Sequence, residues 1–127
     1  MERKRLLYLQ GAVATLVGSL HLVGLEHFLY WKLWWYDIPT HFLGGVWVAL
    51  ALLWVSALLG VRIRWFIVLL VVLAVGVLWE LLEFGTGFTP KENYALDTIL
   101  DLIMDVVGGV CGVWVVHTFN SSRSGRI

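Results

Sequence analysis

The chain has 127 residues, of which 60% are hydrophobic and only 14% charged, with a formal net charge of +0. A soluble domain of this size carries nearer a quarter charged residues, so the composition points to an integral membrane protein of one domain, residues 1–127. A net charge of zero argues nothing about partners, but the sequence shows no basic nucleic-acid-binding surface, and the single Cys111 excludes an internal disulfide.

The N-terminal Met1-Glu2-Arg3-Lys4-Arg5 resembles the start of a signal peptide. The apolar stretch behind it is too long for one, and the segment reads as an uncleaved membrane anchor. Hydropathy predicts an all-α fold of four membrane helices, over about 6–29, 38–60, 65–84 and 95–119. Each has the roughly 20 residues needed to cross a bilayer. Trp31, Trp34, Trp35 and Tyr36 mark one interface and Trp65 the other. Arg3, Lys4, Arg5, Arg62, Arg64, Arg123 and Arg126 fall on one side, and only Lys32 and Lys91 on the other. The positive-inside rule then places both termini in the cytoplasm of a multi-pass cell-membrane protein. The tail from Asn120 reads as short, polar and disordered.

Carboxylates punctuate these runs: Glu26, Asp37, Glu80, Glu83, Asp97, Asp101 and Asp105. Ionised groups in hydrocarbon cost several kcal/mol, so they face a protein interior and mark function. Span three carries Gly76, Glu80 and Glu83 on one helical face. Span four carries Asp97, Asp101, Asp105, Gly108 and Gly112, and span two opens with Asp37, His41 and Gly44. On span one, Gly11, Thr15, Gly18, Ser19, Leu22 and Glu26 form the expected inward stripe. The acidic residues collect at the outer ends of the spans, which predicts a pocket open to the outer side and closed below by glycine-mediated packing.

No Lys or Arg lies inside the runs, so metal, protons or a cationic ligand must balance the charge. Carboxylates with imidazole suit Mg, Mn, Fe or Zn, and helical bundles build such sites from facing carboxylates and His. Asp37, His41, Glu80, Glu83, Asp97, Asp101 and Asp105 are the candidate metal ligands, with Glu80 and Asp101 as catalytic carboxylates. A metal there would polarise a phosphoryl or carbonyl oxygen and acidify a bound water. At headgroup depth, that chemistry suits a membrane lipid or a lipid-linked envelope substrate.

Plainer roles are also open. Asp37 reads as an N-cap ahead of Ile38-Pro39, Asp97 as a cap or headgroup-level group, and Glu26 as snorkelling outward. His21 falls off the Glu26 face and reads as packing. The competing functions are a cation or proton transport component and an accessory protein with a stabilising ion. Transport lacks acidic residues in the cytoplasmic half, although an oligomer could supply the pathway.

Tyr36-Asp37-x-x-x-His41-Phe42-x-x-Gly45, Glu80-x-x-Glu83 and Asp97-Thr98-x-x-Asp101 with Gly108 following resemble the YjdF-like inner-membrane proteins. The pattern is more distantly similar to VanZ-like membrane proteins, which share the Asp-x-x-x-His opening and a late Asp-x-x-x-Asn-x-x-Gly. The VanZ-like Lys, Gln and Asn are replaced here by Ile38, Glu83 and Asp105. The resemblance implies an envelope role and supports the site, without implying a reaction.

Overall fold

The computed structural model describes residues 1–87 and 94–124, with side chains to residue 120. Lys91, Arg126 and the end of the tail lie outside the described residues. The chain forms α1 (Arg3–Glu26), α2 (Leu29–Lys32), α3 (Asp37–Leu59), α4 (Trp65–Thr86) and α5 (Tyr94–Ser124). Among the described residues, α1, α3, α4 and the Tyr94–Asn120 part of α5 are the four helices long and apolar enough to cross a membrane. The all-α, multi-pass architecture expected from hydropathy is the one observed.

Helix ends follow local chemistry. Pro39 sits in the first turn of α3, where no intrahelical N–H bond is required. That helix stops at Gly60 (φ 69°), where the N–H groups of Gly60 and Val61 both donate to the Ser56 carbonyl. Gly87 (φ 66°) closes α4 in the same backbone region.

Three expectations need correction. The first span does not run on to residue 29. It ends at Glu26, and Phe28 takes a left-handed conformation (φ 56°), which is unusual for a bulky residue. That turn launches the one-turn α2 and brings Tyr30 inward, where it is buried. The polar tail is helical as far as Ser124. The expected inward stripe of α1 holds only in part: Gly18 lines the central cavity, but most of the stripe faces outward. Thr15, Ser19, Leu22 and Glu26 are exposed, while the packed positions are Leu6, Leu9, Val13 and Gly24.

The tightest seam is between α3 and α5. A Cβ on Gly45 would collide with the Asp105 main chain, and one on Gly108 with the Phe42 carbonyl. One turn on, a Cβ on Gly112 would stand 3.0 Å from the Ala49 Cβ. Small residues let the two backbones touch, which is how membrane helices gain packing energy without a hydrophobic driving force. α1 packs on α3 through a cluster around Leu6, Leu50 and Val116, and Trp47 Nε1 donates to Gln10 Oε1 at 3.0 Å. α4 joins the seam through Val68 and Val72 against Ala49, and through Gly76 against Asp105. Leu78, Leu81, Leu82 and Trp114 point outward, as a lipid-facing surface requires.

Candidate metal centre

The polar centre lies where α3 and α5 begin and α4 ends. Tyr36 Oη donates to the Leu20 carbonyl at 2.7 Å, tying the start of α3 to α1. Tyr94 Oη donates to the Glu80 carbonyl at 3.0 Å, tying the start of α5 to α4. Within this frame Asp37, His41, Glu80, Glu83, Asp101 and Asp105 are all buried, Asp101 to 2% exposure. Their supporting helices contain no Lys or Arg within the spans.

His41 is the hub. Its Nε2 lies 3.5 Å from Asp37 Oδ1, 3.8 Å from Glu80 Oε1 and 4.0 Å from Asp101 Oδ2. Three helices thus aim carboxylate oxygens at one nitrogen. On the other side of the ring, Nδ1 lies 3.3 Å from both oxygens of Asp105. Asp37, His41 and Asp101 offer ligand atoms all within 4.8 Å of one another. Two ligands on one ion at about 2.0–2.2 Å can be no farther apart than about 4.4 Å, so a few tenths of an ångström of adjustment closes the set.

The remaining predicted residues occupy different places. Asp37 is the first residue of α3, and the cap position is Tyr36. Its carboxylate instead accepts from Thr40 Oγ1 at 3.1 Å and faces His41, which corrects the cap reading. Glu83 lines the adjoining cavity and accepts from Trp79 Nε1 at 3.0 Å. Asp97 is half-buried, one turn before Asp101. Glu26 is exposed, in agreement with an outward-snorkelling side chain.

Glu80 is the informative member. Its Oε2 accepts from Thr98 Oγ1 at 2.7 Å. Its Oε1 is fully buried and accepts no hydrogen bond. A buried acceptor left unsatisfied costs about 1–3 kcal/mol, more when charged, so such an atom calls for a partner.

The hydroxyls that hold the carboxylates are not among the residues the sequence pattern singles out. Thr98 stands in the Asp97-Thr98-x-x-Asp101 pattern, and its hydroxyl donates to Glu80. Thr40, three residues after Asp37, was within reach of the same helical-spacing argument. His21, read as packing, lines the cavity, and its Nδ1 is 2.9 Å from Tyr30 Oη. Burial pushes the Tyr30 phenol above its ordinary range. Nothing in the local sequence distinguishes Tyr30 from an interfacial aromatic.

The model of a family described as predicted membrane protein (DUF2238) matches residues 3–122. The chain belongs to that family. The match covers all four spanning helices and every residue of the polar centre. No curated protein and no solved structure matches this DUF2238 chain at a significant level.

Proposed function

We propose that this DUF2238 protein is a metal-dependent membrane enzyme acting at headgroup depth on a lipid or lipid-linked envelope substrate. The observation that carries the reading is the spacing around His41 Nε2. Carboxylate oxygens at 3.5, 3.8 and 4.0 Å are too far for good hydrogen bonds. They are at the right separation for groups that share one ion. The buried, unpartnered Glu80 Oε1 adds an acceptor that such an ion would satisfy.

In this reading Asp37, His41, Glu80 and Asp101 are the ligands. Asp105 accepts the His41 Nδ1 proton, fixing the tautomer that presents Nε2 as a lone pair. Thr40 and Thr98 orient Asp37 and Glu80 by hydrogen bonds. Glu83, facing the cavity, is placed to meet substrate, and Asp97 stands at the outer rim. A divalent ion, Mg, Mn, Fe or Zn, supplies Lewis-acid polarisation and a more acidic water. Glu80 and Asp101, which approach His41 Nε2 from α4 and α5, are the carboxylates to accept or return a proton. The termini are cytoplasmic, so this chemistry faces the outer leaflet. The YjdF-like resemblance, which falls inside the DUF2238 match, names the same family on this reading.

The test is elemental analysis of detergent-purified protein, wild type beside Glu80→Ala, with thermal stability measured as Mn or Zn is added. Metal in the wild type, its loss in Glu80→Ala, and a metal-dependent shift weakened by Asp101→Asn but not by Glu26→Gln support the reading. The absence of any metal-dependent shift in verified apoprotein overturns it and leaves a proton-sharing carboxylate cluster.

A further inference from the structure

The cavity at the polar centre does not end at His41. On α3 its lining runs from Asp37 to Val48, and on α4 from Glu83 back to Val72. Each stretch is about 16 Å of helix. The cavity volume is about 260 Å³, against the roughly 150 Å³ that suffices to hold benzene in an apolar protein interior. Away from the carboxylates its walls are Val17, Gly18, Trp47, Val48, Val72 and Val75.

Helix placement makes this space a lateral cleft. α1 packs on α3, and α4 packs on α3 and α5. At the upper end α1 and α4 are joined by the edge contact of His21 with Trp79, ring centres 5.7 Å apart. Below that contact Val17 and Gly18 of α1 face Val72 and Val75 of α4 across the cleft. All of these residues belong to spanning helices, so the medium beside the cleft is hydrocarbon. An apolar slot beside lipid that ends at a polar centre fits an amphiphile. A water-soluble substrate would leave the slot empty and would have to pass the buried aromatic cap of Tyr30 and Tyr36.

We propose that the cleft between α1 and α4 seats the hydrocarbon chain of a single-chain membrane lipid bearing a phosphate head, with the head turned to His41. The choice of an anionic head rests on the metal reading, because a phosphate beside Asp37, Glu83 and Asp105 needs an intervening cation. The seat for the chain rests on the cavity alone. Tyr30, Thr40 and Trp79 line the polar end and would border the head.

Gly18 supplies the test. Gly18 lines the cavity and a Cβ added there meets nothing within 4 Å, so Gly18→Leu adds apolar bulk at the cleft wall with no clash at its first carbon. Gly11 is equally open and does not line the cavity, so Gly11→Leu is its matched control. The full-length protein, with Mn added, is reconstituted in phosphatidylcholine vesicles. The vesicles contain a trace of lysophosphatidic acid carrying a mid-chain diazirine, or the same chain as a monoacylglycerol. After illumination the labelled peptides are mapped, and metal is measured on the same samples. The expected result is labelling of the α1 and α4 wall residues, reduced several-fold in Gly18→Leu and unchanged in Gly11→Leu. Labelling by the phosphate-headed probe should exceed that by the neutral probe. Labelling spread over the lipid-facing Leu78, Leu81 and Leu82 and equal in all variants overturns the seat, whatever the metal content. Cleft labelling equal for both probes overturns the phosphate head. Cleft labelling with no bound metal keeps the seat and refutes the metal reading separately.

Discussion

The imidazole Nδ1 of His41 lies 3.3 Å from each carboxylate oxygen of Asp105, on the side of the ring opposite Asp37, Glu80 and Asp101. A carboxylate in that position orients a ligating histidine and raises its basicity. Asp105→Asn should therefore weaken metal affinity by about 10–100-fold without abolishing it. His41→Ala should abolish binding. Isothermal titration with Mn or Zn in detergent separates the two; equal loss from both would make Asp105 a ligand in its own right.

Glu80 should show opposite signs in the two forms of the protein. Without metal, its buried Oε1 is an unsatisfied acceptor, and Glu80→Gln replaces one of the crowded carboxyl groups around His41 with a neutral amide whose NH2 can donate to a neighbouring carboxylate. Apoprotein melting should rise in the variant. With metal, a ligand is missing, and the stabilisation by added Mn should shrink. Differential scanning fluorimetry in both states checks this. A variant less stable as apoprotein would show that Oε1 is already compensated.

The seam predicts a different pattern. Gly45→Ala or Gly108→Ala drives a methyl into the facing backbone, which cannot yield as a flexible side chain can. Each should cost about 1–3 kcal/mol, toward the upper end because the obstacle is backbone. Gly11→Ala meets open space and should be neutral or stabilising by about 1 kcal/mol through helix propensity. Unfolding in mixed micelles ranks the three, and similar losses at all of them would contradict the seam.

Stability at high pH should depend on Tyr30. Its phenol is held above the ordinary value by burial. The unfolded chain ionises near pH 10 while the folded one stays neutral, so stability is intact below that pH and falls as pH rises beyond it. Tyr30→Phe should flatten that loss. Melting curves between about pH 8 and 11 would show it, and an unchanged slope would mean Tyr30 ionises freely in the fold.

Reporter fusions at both termini should read cytoplasmic, given that Arg3, Lys4, Arg5, Arg62 and Arg64 lie at one end of the helices and Lys32 at the other. A C-terminus on the outer side would overturn the orientation and move the polar centre to the inner leaflet.

The site was legible in proportion to how much each residue departs from a lipid-facing one. Glu80, Glu83, Asp101 and Asp105 are conspicuous in apolar runs, and helical spacing alone places them on the buried faces of α4 and α5. The seam glycines Gly108 and Gly112 were read by the same reasoning. On α3 the stripe was placed through Gly44, whereas its neighbour Gly45 makes the close approach. The face of α1 failed because its packed side is made of Leu6, Leu9 and Val13, the same residue types that face lipid elsewhere. Small residues opposite them were mistaken for contacts. The lateral cleft was not legible at all, because a gap between two helices leaves no mark on either sequence.

The glycine notches also limit how this bundle can move. Gly45 receives the main chain at Asp105, and Gly108 receives the carbonyl of Phe42, a three-residue step along each helix in opposite senses. Sliding or rotating one helix against the other would drive a Cβ-bearing residue into a backbone at both places. His41 and the α5 carboxylates are thus held on a fixed pair, and their mutual distances cannot be tuned by helix motion. α4 is tied to the same pair through Gly76 against Asp105 and through Glu80, which accepts from Tyr94 and Thr98, so it shares their register. Of the two walls of the cleft, α1 alone contributes none of the carboxylates around His41, so a guest admitted by a shift of α1 would leave their spacing unchanged.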